Sequence, residues 1–253
     1  MILLLLACRQ IEPAPADIDG LAHHFWTHFS EEEGEVLAEG IANLHAALDG
    51  ENLAETVEGV ISPLDQAELE LVGKGDEDAA KLKGVYFAGL VDCPLASIEP
   101  NIYALDQAAL HEGAYVDYER EYTTDFDAYA AREEEILGWQ TVYEVEGFGA
   151  DYVATIDAWL RYGEEGDLGP FLVLQAVLKE PAPFSGSEDR GMYQDYQLET
   201  YHSRSDGKTV HFYAIWREMV YAGNIDFSSE SVQRLVLDGL SDWDRDMEEN
   251  CLQ

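Results

Sequence analysis

Apolar residues recur along this chain at two spacings, and the spacings alternate in blocks. From Asp19 to about Leu48 the step is three or four, through Leu21, Phe25, Phe29, Val36, Leu37, Ile41, Leu44 and Leu48. That period places them on one helical face. Ser30-Glu31-Glu32-Glu33 interrupts it with a fresh capping signal, so two helices are expected. Residues 53–72 are mixed, with Ser62-Pro63 as a turn or helix start, and 74–83 have the polar, acidic, Gly-containing composition of a linker. Residues 85–91 form a short apolar run, as in a buried strand. Pro94 opens a helix expected to run to Leu110, and 115–135 reads as a second, weakly patterned helical region. Strand-like runs follow at 136–146, 152–161 and 170–178, then a loop with Pro and Gly at 181–191.

The strongest local signal comes next. Residues 192–204 and 208–222 are rich in aromatic and β-branched side chains, and Asp206-Gly207 lies between them. Asp-Gly accepts the positive φ angles of a type I′ turn. A two-residue loop there sets Tyr196 opposite Arg217 and His202 opposite His211, all on one face of the hairpin. Ser228-Ser229-Glu230-Ser231 then caps a closing helix, with Val232, Leu235, Val236, Leu240, Trp243 and Met247 at helical spacing. The expected organisation is a helical N-terminal region over 19–73, a linker at 74–83 and an α+β domain over 84–253.

From residue 85 the order is strand, two helices, five strands, long helix. It resembles the helix-grip architecture of START-like and Bet v 1-like proteins, one strand short of the usual count. The resemblance is one of element order over about two-thirds of the chain. It implies an antiparallel sheet packed on the long C-terminal helix, enclosing a cavity for apolar ligands. Tyr196, Arg217, His202 and His211 are then the candidate lining.

Charge narrows the partners. The chain holds 14 Lys and Arg against 52 Asp and Glu, a formal net charge of -38. Such a surface repels nucleic-acid phosphate, so nucleic-acid binding is rejected. Adaptation to a salty medium is the favoured reading, and divalent cation binding the alternative. Asp242, Asp244 and Asp246 have the opening spacing of a calcium loop, but Met247 stands where the required Gly belongs.

Leu5-Leu6-Ala7-Cys8 resembles the lipobox of bacterial lipoproteins. The resemblance implies cleavage before Cys8, a lipid on that cysteine, and a polar tether over 9–18. No Lys or Arg precedes the apolar run, and a buried N-terminal strand is the alternative reading. The resemblance further implies that Arg9, in place of an aspartate after the cysteine, favours the outer over the inner membrane of an envelope, with the chain in the periplasm. Export would leave Cys93 and Cys251 to pair as a disulfide, with two free buried thiols as the alternative.

Candidate chemistry is sparse. His24 and His28 lie four apart on one helix beside Glu31 and Glu32, a spacing that can hold a metal, although surface histidines on an acidic helix are the favoured reading. There is no G-x-S-x-G elbow, P-loop, G-x-G-x-x-G or paired-cysteine metal motif. The sequence therefore favours a lipid-anchored, non-catalytic binding module for a small apolar or amphipathic ligand. An interaction protein of the envelope is the alternative, and a metal-dependent enzyme using histidines stands third. The charge makes one prediction. Melting temperature rises as salt is added from low ionic strength, because screening relieves self-repulsion. A flat or falling curve in a thermal melt series contradicts it.

Overall fold

A computed structural model describes residues 13–30, 34–146, 151–187, 189–221 and 225–251. Its centre is one antiparallel sheet of nine strands whose central strands are buried on both faces. The strands are β1 (Val57–Ile61), β2 (Lys83–Val91), β3 (Asp117–Tyr122), β4 (Ile136–Val145), β5 (Tyr152–Glu165), β6 (Gly169–Leu178), β7 (Ala182–Pro183), β8 (Gly191–Ser203) and β9 (Thr209–Val220). Their order across the sheet is β1-β2-β9-β8-β6-β5-β4-β3, with β7 on β8.

The outer face carries Tyr196, Leu198, Val210, Phe212, Ala214 and Trp216. Over it lie α1 (Ile18–His28) and α2 (Gly34–Ala47), which deliver Leu21, Phe25, Trp26, Leu37, Ile41 and Leu44. The Asp17 side chain accepts from the Gly20 backbone N–H and so caps α1. Trp26 meets Tyr196 and Trp216 edge-on, at centroid distances of 5.9 and 5.6 Å. The two helices anticipated between Asp19 and Leu48 are thus a covering layer for half the sheet.

The inner face is covered by α4 (Leu95–Tyr103), α5 (Gln107–Leu110) and the 22-residue α7 (Glu230–Cys251). Cys93, just after β2, is bonded to Cys251 at the end of α7, with 6.2 Å between their Cα atoms. No helix among the described residues is long and apolar enough to cross a membrane. The antiparallel sheet gripping a long C-terminal helix is the α+β architecture expected.

Several expectations need correction. Residues 115–135 do not form a helical region. They form β3 and the short helix α6 (Phe126–Ala130), which Asp125 caps. In β3, Tyr118, Arg120 and Tyr122 alternate with exposed Asp117, Glu119 and Glu121. The period of two was present, but its inward positions are tyrosine and arginine rather than aliphatic, so it did not read as a hydrophobic stripe. This is the strand that the sequence count lacked. The expected helix from Pro94 to Leu110 is divided into α4 and α5. The region 19–73 is not wholly helical either: besides α1, α2 and the short helix α3 (Gln66–Leu71), it supplies β1, which pairs with β2 at the sheet edge.

The hairpin register is also shifted by one residue. Tyr196 pairs with Trp216, Asp195 with Arg217, Tyr201 with His211 and His202 with Val210. Arg204 N–H donates to the Lys208 carbonyl at 2.8 Å, and Gly207 N–H to the Arg204 carbonyl at 2.9 Å. Only Gly207 has a positive φ, of 85°, whereas a type I′ turn needs Asp206 positive as well. The connection is a three-residue loop ending in a left-handed Gly. One extra loop residue moves each expected partner to the opposite face.

The disulfide closes a loop over a sequence separation of 158, for which the chain-entropy model gives about 5 kcal/mol. The Cys93→Ser, Cys251→Ser double variant should therefore lose roughly 2–5 kcal/mol in denaturant unfolding, with the sheet retained. Unchanged stability would show that α7 needs no covalent anchor.

Candidate functional site

Inward-pointing side chains of the sheet do not fill the space beneath α7. They leave a cavity of about 340 Å³. Period-two alternation decides what lines it: Tyr118 and Arg120 from β3, Trp139, Thr141 and Tyr143 from β4, Ile156 and Ala158 from β5, Leu174 and Ala176 from β6. Gln197, Glu199 and Tyr201 of β8, Tyr213 of β9, Leu240 and Trp243 of α7, Ile102 of α4 and Gln107 of α5 also face it. Burial raises the Tyr118, Tyr143 and Tyr213 phenols above their ordinary range, so they remain neutral. The walls are apolar and aromatic, with a few placed polar groups, which is the character of a small-molecule site.

The cavity roof is fixed by a buried charge. His211 Nδ1 lies 2.7 Å from Asp244 Oδ1 of α7, and its Nε2 lies 3.4 Å from Glu199 Oε2. Tyr201 stacks on the imidazole at 4.2 Å and donates its hydroxyl to Glu199. Gly89, opposite His211 on β2, leaves room for the carboxylate, since a Cβ there would sit 3.0 Å from Asp244 Oδ2. Further along α7, His111 stacks on Trp243 at 3.3 Å and bonds Asp246 at 3.2 Å. Asn250 donates to the Leu110 carbonyl at 3.0 Å.

Solved structures with similar backbones include human StAR-related lipid transfer protein 5, with a TM-score of 0.48 at 10% identity over 90% of this chain and 98% of that one. The lipid transfer and protein localization domain of human StarD13 gives 0.47 at 11% identity, over 82% and 95%. A START superfamily protein from Mycobacterium smegmatis gives 0.43 at 10% identity, over 67% and 97%. No protein-family model matches the chain, and no curated protein matches it. The fold therefore stands on the strand order and helix placement described above.

The candidate residues read from the sequence are distributed differently. Tyr196 does not line the cavity; it is buried on the outer face against Trp26. Arg217 is on the inner face but bonds Asp195, 2.6 Å away, beside a smaller pocket with Lys81, Lys83 and Phe227. His202 and His211 do not face each other. His202 points outward and meets His45 at 3.1 Å. His24 and His28 do lie together, with ring centroids 4.5 Å apart, and His24 Nε2 contacts the Val36 carbonyl at 3.0 Å. Glu31 and Glu32 lie outside the described residues, as does Cys8. Among the described residues no three His, Cys, Asp or Glu side chains converge as a metal site.

Sequence reading passed over Arg120 and Glu199 and weighed Asp244 only as part of a calcium-loop spacing. The first two sit at alternating strand positions, a signal that needs the register to be useful. Asp244 was legible: it lies seven residues after Leu237 and three before Met247, both buried on α7. An acid in phase with an apolar stripe calls for a buried cation.

Burial alone would lower the His211 pKa, but Asp244 and Glu199 outweigh it and raise the group from 6.5 to about 9. Burial, then the nearby His45, push His202 down to about 3. The signs are opposite. His211 stabilises the fold fully below pH 6.5 and loses that contribution as pH rises through 9. His202 is buried neutral, so stability falls as pH drops below 6.5 and the unfolded chain takes up its proton. Unfolding free energy should decline between pH 6.5 and 9 by on the order of 3 kcal/mol. Asp244→Asn should be less stable at neutral pH and show a flatter decline. A wild-type curve level across that window would mean His211 is not held protonated by its partners.

Proposed function

We propose that this protein is a non-catalytic binding module that holds a small apolar or amphipathic ligand between the sheet and α7. The observation that carries this reading is the cavity of about 340 Å³ on the inner face of the sheet. A core filled only for stability would close such a space, because voids leave neighbouring atoms without contacts. Here the flanking side chains are large and aromatic, yet the space persists under a helix fixed by a disulfide and a buried ion pair. The roof is built to stay at a set distance from the floor.

The lipobox-like Leu5-Leu6-Ala7-Cys8 supports a lipid anchor on Cys8 and a place in the cell envelope. A tether through the following Pro-containing residues would hold the cavity near a membrane without inserting the fold. Divalent cations belong to this proposal only as weak counter-ions of the acidic surface.

One comparison tests both halves. The protein from its native cells is weighed intact under native and under denaturing conditions. Mass that disappears on denaturation is the cavity ligand; mass that stays on the N-terminal peptide at Cys8 is the anchor. No dissociable mass, together with no uptake of added alkyl or polycyclic ligands, would overturn the binding module. A full-length, unmodified Cys8 would overturn the anchor.

A further inference from the structure

Arginines in this chain generally meet carboxylates. Arg132 bonds Glu99, Arg161 bonds Glu135, Arg204 bonds Asp206, Arg217 bonds Asp195, Arg234 bonds Glu58, and Arg245 bonds Asp242. With 52 acids to choose from, a half-buried arginine that lines a cavity and meets none of them needs a reason. Arg120 is such an arginine. It lines the cavity, and no carboxylate among the described residues lies within ion-pair distance of it. Its Nη1 donates to the carbonyls of Ile102 and Ala104 at 2.8 and 3.1 Å, and its Nε to Thr141 Oγ1 at 3.2 Å. Its guanidinium lies over the Trp139 ring, 4.7 Å from the centroid, and 5.6 Å from the centroid of Tyr118.

Those contacts fix the guanidinium plane and leave its Nη2 edge without a hydrogen-bond partner among the described residues. Carbonyls and aromatic faces orient a cation, but they do not neutralise it. Burial accordingly lowers the Arg120 pKa, and the nearby Tyr118 and Tyr115 only partly offset this. The other charged side chain in the wall, Glu199, is already engaged by the Tyr201 hydroxyl and the His211 imidazole. One end of the cavity therefore presents an oriented, unneutralised cation. From there the wall continues through Ile156, Ala158, Leu174 and Ala176, which are apolar.

Resting on the binding-module reading, we propose that the cavity selects an amphiphile whose acidic head group, a carboxylate or phosphate, is received by Arg120 while its apolar body lies along β5 and β6. A planar guanidinium with a free edge matches such an oxyanion by paired hydrogen bonds, whereas an alcohol head leaves the charge uncompensated. The strongly acidic exterior adds selectivity of another kind. It disfavours anions at the surface, so an acidic ligand gains from binding only where the cation is, inside.

The test uses the whole protein stripped of endogenous ligand and titrated calorimetrically at moderate salt with dodecanoate, dodecyl phosphate, dodecanol and inorganic phosphate. Dodecanoate or dodecyl phosphate is expected to bind about tenfold or more tightly than dodecanol, as a charge-assisted bond in a buried site implies. Arg120→Gln should erase that preference, Arg120→Lys should keep part of it, and both should retain the wild-type circular dichroism spectrum. Dodecanol binding as tightly as the acids to the unaltered protein overturns the head-group inference and leaves the binding module standing. Inorganic phosphate matching dodecyl phosphate also overturns it, in favour of a free-anion site. If none of the four binds, the head-group inference fails, while the binding module still stands or falls on the native-mass comparison and the uptake of polycyclic ligands.

Discussion

The structure depends on joining a helix to the inner face of a sheet without letting the two collapse together. His211 does this. Its imidazolium sits between Asp244 of α7 and Glu199 of β8, and Tyr201 covers its face. An ion pair in such a setting adds little net stability over a well-packed apolar pair, because both charges lose their water. Its value is positional. A carboxylate must approach one nitrogen in one geometry, so α7 is held at a defined height and rotation. The Cys93–Cys251 bond fixes the end of the same helix, and His111 stacked on Trp243 fixes its middle. The cavity is the space those anchors maintain.

The outer face is organised by the opposite principle. There α1 and α2 bury Phe25, Trp26, Leu37 and Ile41 directly against Tyr196, Phe212 and Trp216. Burial of that much aromatic surface drives the layer down, and hydrogen bonds from the two indoles to the Glu68 and Ser62 carbonyls orient it. The packed outer layer gives the sheet a rigid back. A partly open inner layer is tolerable because the sheet does not rely on it alone.

Scarcity of cations shapes the rest. With 14 basic side chains, most described arginines are spent at junctions between elements: Arg161 donates to the Phe29 carbonyl, Arg204 to that of Leu53, and Arg132 clamps Glu99. The acidic surplus lies on the exterior, where water and salt screen it. Arg120, in the cavity wall, meets carbonyls, a hydroxyl and aromatic faces instead.

The helices were legible in the sequence because their apolar residues recur at three and four, and Leu21, Phe25, Ile41 and Leu44 do bury on one side. The C-terminal helix was legible for the same reason, the long strands from their aromatic and β-branched runs, and the order of these elements indicated the grip. The disulfide followed from cysteine count and context. β3 was not legible, because a strand at a sheet edge facing a cavity carries Tyr118, Arg120 and Tyr122 where a core strand carries aliphatics. The face of each hairpin residue was not legible either, because period two makes it depend on one loop residue: Gly207 alone at positive φ moved Tyr196 and His202 outward and left His211 inside. Periodicity is local and survives in the sequence. Which two faces meet, and what space remains between them, is set by contacts between residues as far apart as His211 and Asp244, or Cys93 and Cys251, and only the folded chain decides those.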